Sequence, residues 1–279
     1  MKARTSDLRI IFFGTPRLAV TVLEVLKASG IVPALIVTAP DRPKGRGLVL
    51  TPPPVKVWAE AEGVPVIQPQ SLKVASEELE LLSNSEWDLG IVAAYGKILP
   101  QSVLDLPAHG MLNVHPSLLP AFRGPAPIEG QILADVRTVG VSIMLLDAEV
   151  DHGPVLSQAR IELDEWPLRA RDLEELLATE GGSLLAESIP PYLSGELVPA
   201  AQNHTEATFT KKIEKSDGEL DLLADGYQNY LKYCAYDEWP GTFFFKDGKR
   251  TKISEAKYEN GQFVPVKVIP EGKKEQEWR

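Results

Sequence analysis

The chain has 279 residues, 44% hydrophobic and 24% charged, enough for one large soluble domain or two ordinary ones. Its net charge of -10 excludes bulk electrostatic attraction as the basis of nucleic-acid binding. No apolar run approaches the roughly 18 residues of a membrane helix, and the segment Met1 to Asp7 lacks the apolar region of a signal peptide. A single cysteine, Cys234, excludes an internal disulfide and any multi-cysteine metal site; it is expected to be a packing residue in a cytoplasmic protein.

Residues 8–13 read as a buried strand broken by Gly14-Thr15-Pro16, and residues 19–28 carry helical periodicity with a stop at Gly30. Strands expected at 34–38, 64–67, 89–94 and 111–115 alternate with helices near 55–61, 75–82 and 99–104. Apolar strands alternating with helices indicate a mostly parallel sheet covered on both faces, a Rossmann-like α/β fold. The first strand-to-helix turn holds one glycine, so the dinucleotide fingerprint G-x-G-x-x-G is absent. A helix near 128–133 and an alternating strand at 139–146 lead to Asp147-Ala148-Glu149-Val150-Asp151-His152-Gly153, and a strand at 155–163 is expected antiparallel at the sheet edge.

Residues 168–193 read as a long helical stretch, interrupted at Gly181-Gly182 and closed by Pro190-Pro191. The polar, turn-rich segment 194–205 is expected to link a catalytic domain, 1–193, to a second domain, 206–279. There a helix near 224–235 precedes short β-like runs at 242–245, 250–257 and 262–268, with Asp247-Gly248 as a hairpin signal. A small β-rich domain follows from this pattern. From Thr205 onward the chain carries 13 Lys+Arg against 14 Asp+Glu; of the 29 and 39 in the whole chain, 16 and 25 lie before it. The acidity therefore belongs to the first part, and the tail is close to neutral.

The most informative stretch is Asn113-Val114-His115-Pro116-Ser117-Leu118-Leu119-Pro120. On a strand, residues two apart share a face, so Asn113 and His115 offer an amide and an imidazole to one point. Pro116 cannot continue a ladder, which puts the pair at the strand's end, where open α/β sheets bind ligands. If Asp151 converges there, a carboxylate would raise the His115 pKa and orient the ring. An amide donor with a cationic imidazole suits an oxyanion on a tetrahedral intermediate, and the carboxylate can help move a proton off an attacking amine. No Ser or Cys sits in a recognisable nucleophile turn, which favours direct acyl transfer. Only four His are present, none at zincin-like spacing, so no metal is expected.

Over nearly all its length the chain resembles the methionyl-tRNA formyltransferases, within the 10-formyltetrahydrofolate-dependent formyltransferase superfamily. The resemblance rests on Phe13-Gly14-Thr15-Pro16, on Pro40 to Gly47 (PDRPKGRG), on Ala94-Tyr95-Gly96-Lys97-Ile98-Leu99-Pro100 and on Asn113 to Pro120. It continues in Arg123 to Ile128 (RGPAPI), Asp151-His152-Gly153, Trp239-Pro240-Gly241 and Gly248-Lys249-Arg250. It implies that Asn113, His115 and Asp151 are catalytic, and that Ser117, Leu118, Leu119, Pro120, Tyr95, Asp147 and Glu149 surround the folate. It implies further that Arg42, Lys44 and Arg46 approach the acceptor end of initiator methionyl-tRNA, that Leu18 borders the methionyl side chain, and that the tail is an OB-like β-barrel. A monomer using 10-formyltetrahydrofolate as co-substrate is expected. Against the family pattern, Leu18 replaces an aromatic residue, Ala121 a basic one, Leu48-Val49-Leu50 lysines, and His152 and Pro154 the frequent Thr and Asp. Formylation of an amino sugar nucleotide or another small amine uses the same trio and is the nearest alternative. Release of formyl to water and RNA binding without catalysis are the others.

Overall fold

β1 (Ile10–Gly14) is buried at every position and pairs in parallel with β2 (Leu35–Val37) on one side and β6 (Leu89–Ala93) on the other. The computed structural model describes residues 8–45, 47–74 and 76–278. After β1 come α1 (Arg17–Ala28), β2, a short hairpin of β3 (Arg42–Lys44) and β4 (Val49–Thr51), α2 (Pro54–Glu62) and β5 (Val66–Ile67). Then follow α3 (Glu77–Ser83), β6, α4 (Gln101–Leu104), β7 (Met111–His115), α5 (Pro127–Leu133), β8 (Thr138–Leu145), β9 (Val155–Glu162) and α6 (Ala170–Leu193). The seven-stranded sheet has the order β5-β2-β1-β6-β7-β8-β9. Strands β5, β2, β1, β6 and β7 are parallel, β8 runs antiparallel to β7, and β9 is the edge strand, as the pattern predicts. The strand order winds outward in both directions from β1 and β6, so the crevice at their carboxyl ends is the expected ligand position. There the Thr15 hydroxyl donates to the Tyr95 carbonyl at 3.0 Å, tying the two strand ends together.

Two compact units share the chain. The first comprises Met1–Arg123, Gly140–Arg160 and Glu175–Thr208, and the second Gly124–Val139, Ile161–Glu174 and Phe209–Arg279. In the second, α7 (Gly226–Ala235) packs against α5 and against a four-stranded antiparallel sheet. Its strands are β10 (Phe243–Lys246), β11 (Lys249–Glu259), β12 (Gln262–Pro270) and β13 (Gln276–Glu277). Asp247 and Gly248 both take positive φ, 52° and 73°, as a tight β10–β11 hairpin demands, and Asn260-Gly261 repeats the device between β11 and β12. Cys234 is fully buried on α7, and burial pushes its thiol up to about 11. Among the described residues no helix is long and apolar enough to cross a membrane.

One local expectation is overturned. α6 runs unbroken through Gly181-Gly182 and carries Pro190 and Pro191 within it. The two glycines answer to neighbours rather than to the helix's own end. A Cβ on Gly181 would lie 2.6 Å from Val114 Cγ1 and 3.0 Å from Val141 Cγ2; one on Gly182 would lie 2.8 Å from Val25 Cβ. The helix is thus pressed between the sheet and α1, too close for any side chain. In an open helix Gly→Ala stabilises by about 1 kcal/mol. At position 181 the collision with a stiff valine should reverse the sign, and Gly181→Ala should destabilise by about 1–3 kcal/mol. The urea midpoint measures it; a midpoint at or above that of the parent protein would show that α6 has room.

Candidate active site

Asn113 and His115 are buried, 8% and 4% exposed, one pleat apart on β7. Val114 between them meets α6 at Gly181, so the pair points to the other face, that of Met111. Met111 belongs to an apolar cluster with Phe13, Val92 and Tyr95, so the pair sits where that cluster runs out at the strand's carboxyl end. The sequence spacing and the observed placement agree. No described residue hydrogen-bonds the Asn113 side-chain amide, which is therefore available to a ligand oxygen.

Asp151 arrives from the loop between β8 and β9 with a left-handed backbone, φ 51°, and its Oδ1 lies 3.5 Å from His115 Nδ1. The other ring nitrogen, Nε2, lies 3.1 Å from the Phe122 carbonyl oxygen. A carbonyl only accepts, so Nε2 carries the proton, and in the neutral ring Nδ1 turns its lone pair toward Asp151. Burial holds the His115 pKa below its ordinary 6.5, against the upward pull of the Asp151 carboxylate and the Phe122 carbonyl; the nearby Arg123 charge adds to the lowering. The carboxylate pulls the pKa up as expected, but the net direction is down, against the expectation of a cationic ring. Desolvation of a ring with almost no exposed surface outweighs one carboxylate at the limit of hydrogen-bond distance.

The Asp151 loop is tightly drawn. Leu145 N donates to the Pro154 carbonyl at 2.9 Å, and a Cβ on Gly153 would lie 2.0 Å from the Leu145 carbonyl oxygen. Only glycine fits that return. Within the loop Asp147 accepts from Glu149 N at 2.9 Å and lies 2.7 Å from His152 Nδ1. The His152 ring stacks on His204 with centroids 4.0 Å apart and planes 2° from parallel. From beneath, Arg123, 3% exposed, donates through Nε and Nη2 to Gln202 Oε1 at 3.1 and 2.6 Å, and Nη2 also lies 2.9 Å from His204 Nδ1. Gln202 in turn donates to the carbonyls of Asp151 and Gly153 at 2.9 and 2.7 Å. Sequence reasoning assigned Gln202 and His204 no role, because a polar, turn-rich segment carries no sign of burial.

The remaining expected site residues fall into distinct settings. The Ser117 hydroxyl donates to the Ala121 carbonyl at 2.7 Å, and Ser142 holds the same loop by donating to the Ser117 carbonyl at 2.6 Å and accepting from Leu119 N at 3.0 Å. Ser117 and Leu119 are buried, Leu118 and Pro120 partly so. Tyr95 packs edge-on against Phe13, with centroids 5.4 Å apart. Burial pushes its pKa up to about 12, and its buried hydroxyl has no hydrogen-bond partner among the described residues. Asp147 is half-buried, Glu149 is exposed, and Leu18 is buried on α1.

Arg42 and Lys44 lie apart from the trio, exposed on one face of β3 and opposite Thr51 and Val49 of β4. Arg46 lies outside the described residues. The hairpin's base is pinned by Asp41, which accepts from Gln68 at 2.7 Å and from Lys56 at 2.9 Å; these two contacts hold its pKa down. Partial burial, with the Arg42 charge second, lowers the pKa of Lys97, which places that cation in the hairpin's field.

The sequence profile described as formyl transferase matches residues 8–189. The chain belongs to the formyl transferase family. A methionyl-tRNA formyltransferase of Chloroflexus aurantiacus is 44% identical to it over 264 residues, 94% of this chain and 84% of that protein. One of Myxococcus xanthus is 42% identical over 264 residues, 95% and 84% of the two chains. Among solved structures, the methionyl-tRNA formyltransferase of Clostridium thermocellum aligns with a TM-score of 0.62 at 16% identity, covering 94% and 98%. An N-formyltransferase from Helicobacter canadensis, in complex with folinic acid and dTDP-3-aminofucose, aligns at 0.68 and 16%, covering 97% and 100%. At such identities the structures share the fold.

The buried ring of this formyltransferase leaves a thermodynamic mark. Above pH 6.5 His115 is neutral in the folded and unfolded chains alike; below it the unfolded chain binds a proton that the folded site resists. The contribution to stability is complete above the unfolded value and shrinks as pH falls. The melting temperature should therefore drop between pH 7 and about 5, and His115→Asn should remove part of that drop. An equally steep decline in the variant would show that the ring is not held neutral.

Proposed function

We propose that the protein transfers the formyl group of 10-formyltetrahydrofolate to the free amino group of methionyl-initiator tRNA, acting as a cytoplasmic monomer. The observation that carries this reading is the buried, unpartnered Asn113 amide beside the His115–Asp151 pair at the end of β7. The relatives that are 42–44% identical over most of the chain support the acceptor. The sugar N-formyltransferases share the fold at 16% identity, which carries no acceptor.

The folate co-substrate supplies an activated one-carbon acyl group. The Tyr95 hydroxyl, the Ser117–Pro120 turn, Asp147 and Glu149 are the residues that would hold it; the orphaned Tyr95 hydroxyl supports a polar ligand edge there. Asn113 then donates to the oxygen that gains charge as the amine attacks. His115 begins neutral, and its Nδ1, which faces the Asp151 carboxylate at 3.5 Å, receives the amine's proton. The imidazolium so formed lies between Asp151 and the Phe122 carbonyl, both of which favour the charge. It gives the proton to the folate nitrogen as the bond from that nitrogen to the formyl carbon breaks and tetrahydrofolate leaves. Arg42, Lys44 and Arg46 would meet the acceptor-end phosphates, Leu18 the methionyl side chain, and an OB-like domain at 206–279 the RNA, with 1–193 catalytic and 194–205 joining them.

Asn113→Ala or His115→Ala should lower the single-turnover formylation rate by about 10²–10³; near-parental turnover of either variant would reject the trio. Lys44→Ala should raise the KM for tRNA and reduce the slope of log KM against log salt by about 1, with the chemical rate kept. A slope unchanged by the substitution would remove the hairpin from the RNA surface.

A further inference from the structure

Both partners of His115 are held by one segment. Residues 200–208 pair with β9 through two Val155–Ala200 hydrogen bonds of 2.8 Å. Eight residues further on, the segment clamps the turn that presents the Phe122 carbonyl. Thr208 Oγ1 accepts from Phe122 N at 2.8 Å, and the Thr208 carbonyl accepts from Arg123 N at 2.9 Å. Between those anchors Gln202 is buried, and its amide is saturated: the oxygen accepts twice from Arg123, and the nitrogen donates to the carbonyls of Asp151 and Gly153. Only a primary amide can accept from a guanidinium and give two hydrogens to two carbonyls at once. A carboxylate lacks the donors, and an ammonium lacks the acceptor.

We propose that Gln202 is a positioning residue that fixes the Asp151 carboxylate against His115 Nδ1 by holding the Asp151 and Gly153 carbonyls, with Arg123 as its anchor. The inference rests on the reading of Asp151 as catalytic. Asp151 is a place where such support acts, because its left-handed backbone is uncommon for a residue with a side chain, though Asp adopts it more readily than most. Arg123 directly follows Phe122, so the same anchor also registers the carbonyl on the other side of the ring. The His115 ring is thereby held between two oxygens whose positions are set by one segment.

Gln202→Glu tests this with the intact chain. The glutamate keeps the acceptor for Arg123, so the fold is retained, but it presents oxygens to the two carbonyls. Single-turnover formylation at saturating co-substrates should fall about tenfold, with KM for tRNA and folate changed less than about twofold. Gln202→Met, similar in length and volume, is read in the same way should the carboxylate disturb the fold. The decisive readout is the cycle with Asp151→Asn: in that background Gln202→Glu should cost less than about twofold more, since it acts through the group already removed. The same factor in both backgrounds, or a parental rate in Gln202→Glu while Asp151→Asn is slow, would overturn the positioning role alone. A parental rate in Asp151→Asn would overturn the catalytic reading and this inference with it.

Discussion

Along β7 successive side chains must point to opposite faces, and that alternation governs what the rest of the first unit can do. Val114 takes the face covered by α6, at a distance so short that the helix keeps two glycines opposite the sheet and α1. Asn113 and His115 are forced onto the other face, at the one end of the strand where the apolar cluster gives way to loops. A slip of one residue in the β6–β7–β8 register would exchange the two sets, burying an imidazole under α6 and presenting a valine to substrate. The chemistry and the packing are therefore specified by the same hydrogen-bond ladder.

How far the fold could be read from sequence follows from the range of the signals involved. Strands β1, β6 and β7 were legible because a run of apolar residues ended by Gly or Pro is a local statement. Gly181-Gly182 misled because glycine as a helix stop is also local, whereas here it responds to Val114, Val141 and Val25, remote in sequence. The burial of Gln202 within residues 194–205 was hidden for the same reason: a buried Gln and an exposed Gln look alike in a string of letters. The placement of Asn113 and His115 followed from the period of a strand, but the approach of Asp151 depended on family resemblance. The net direction of the His115 pKa was not legible, because a neighbouring carboxylate is countable in the sequence and the loss of solvent is not.

Charge is divided within the molecule as sharply as shape. The reaction centre is enclosed, and its ionisable groups are few and mutually compensating. The exposed β3–β4 hairpin carries cations on a chain whose net charge is -10. Long-range attraction between the whole protein and a polyanion is thus unfavourable, and any association must be made at short range by a stiff element. The ties from Asp41 to Lys56 and Gln68 give the hairpin that rigid base.

The same hairpin also bears on self-association. Among the described residues β3 and β4 form a sheet of two strands, and Leu48, Val49 and Leu50 are 72%, 67% and 63% exposed. Three adjacent aliphatics beside an open ladder are a template for a strand from another chain. Pro43 withholds a backbone donor from the β3 edge, and Arg42 and Lys44 place like charges where a second copy would dock. The charges and the proline that flank the exposed aliphatics thus act against edge-to-edge pairing, so a neutral substitution at Arg42 or Lys44 bears on solubility as well as on charge.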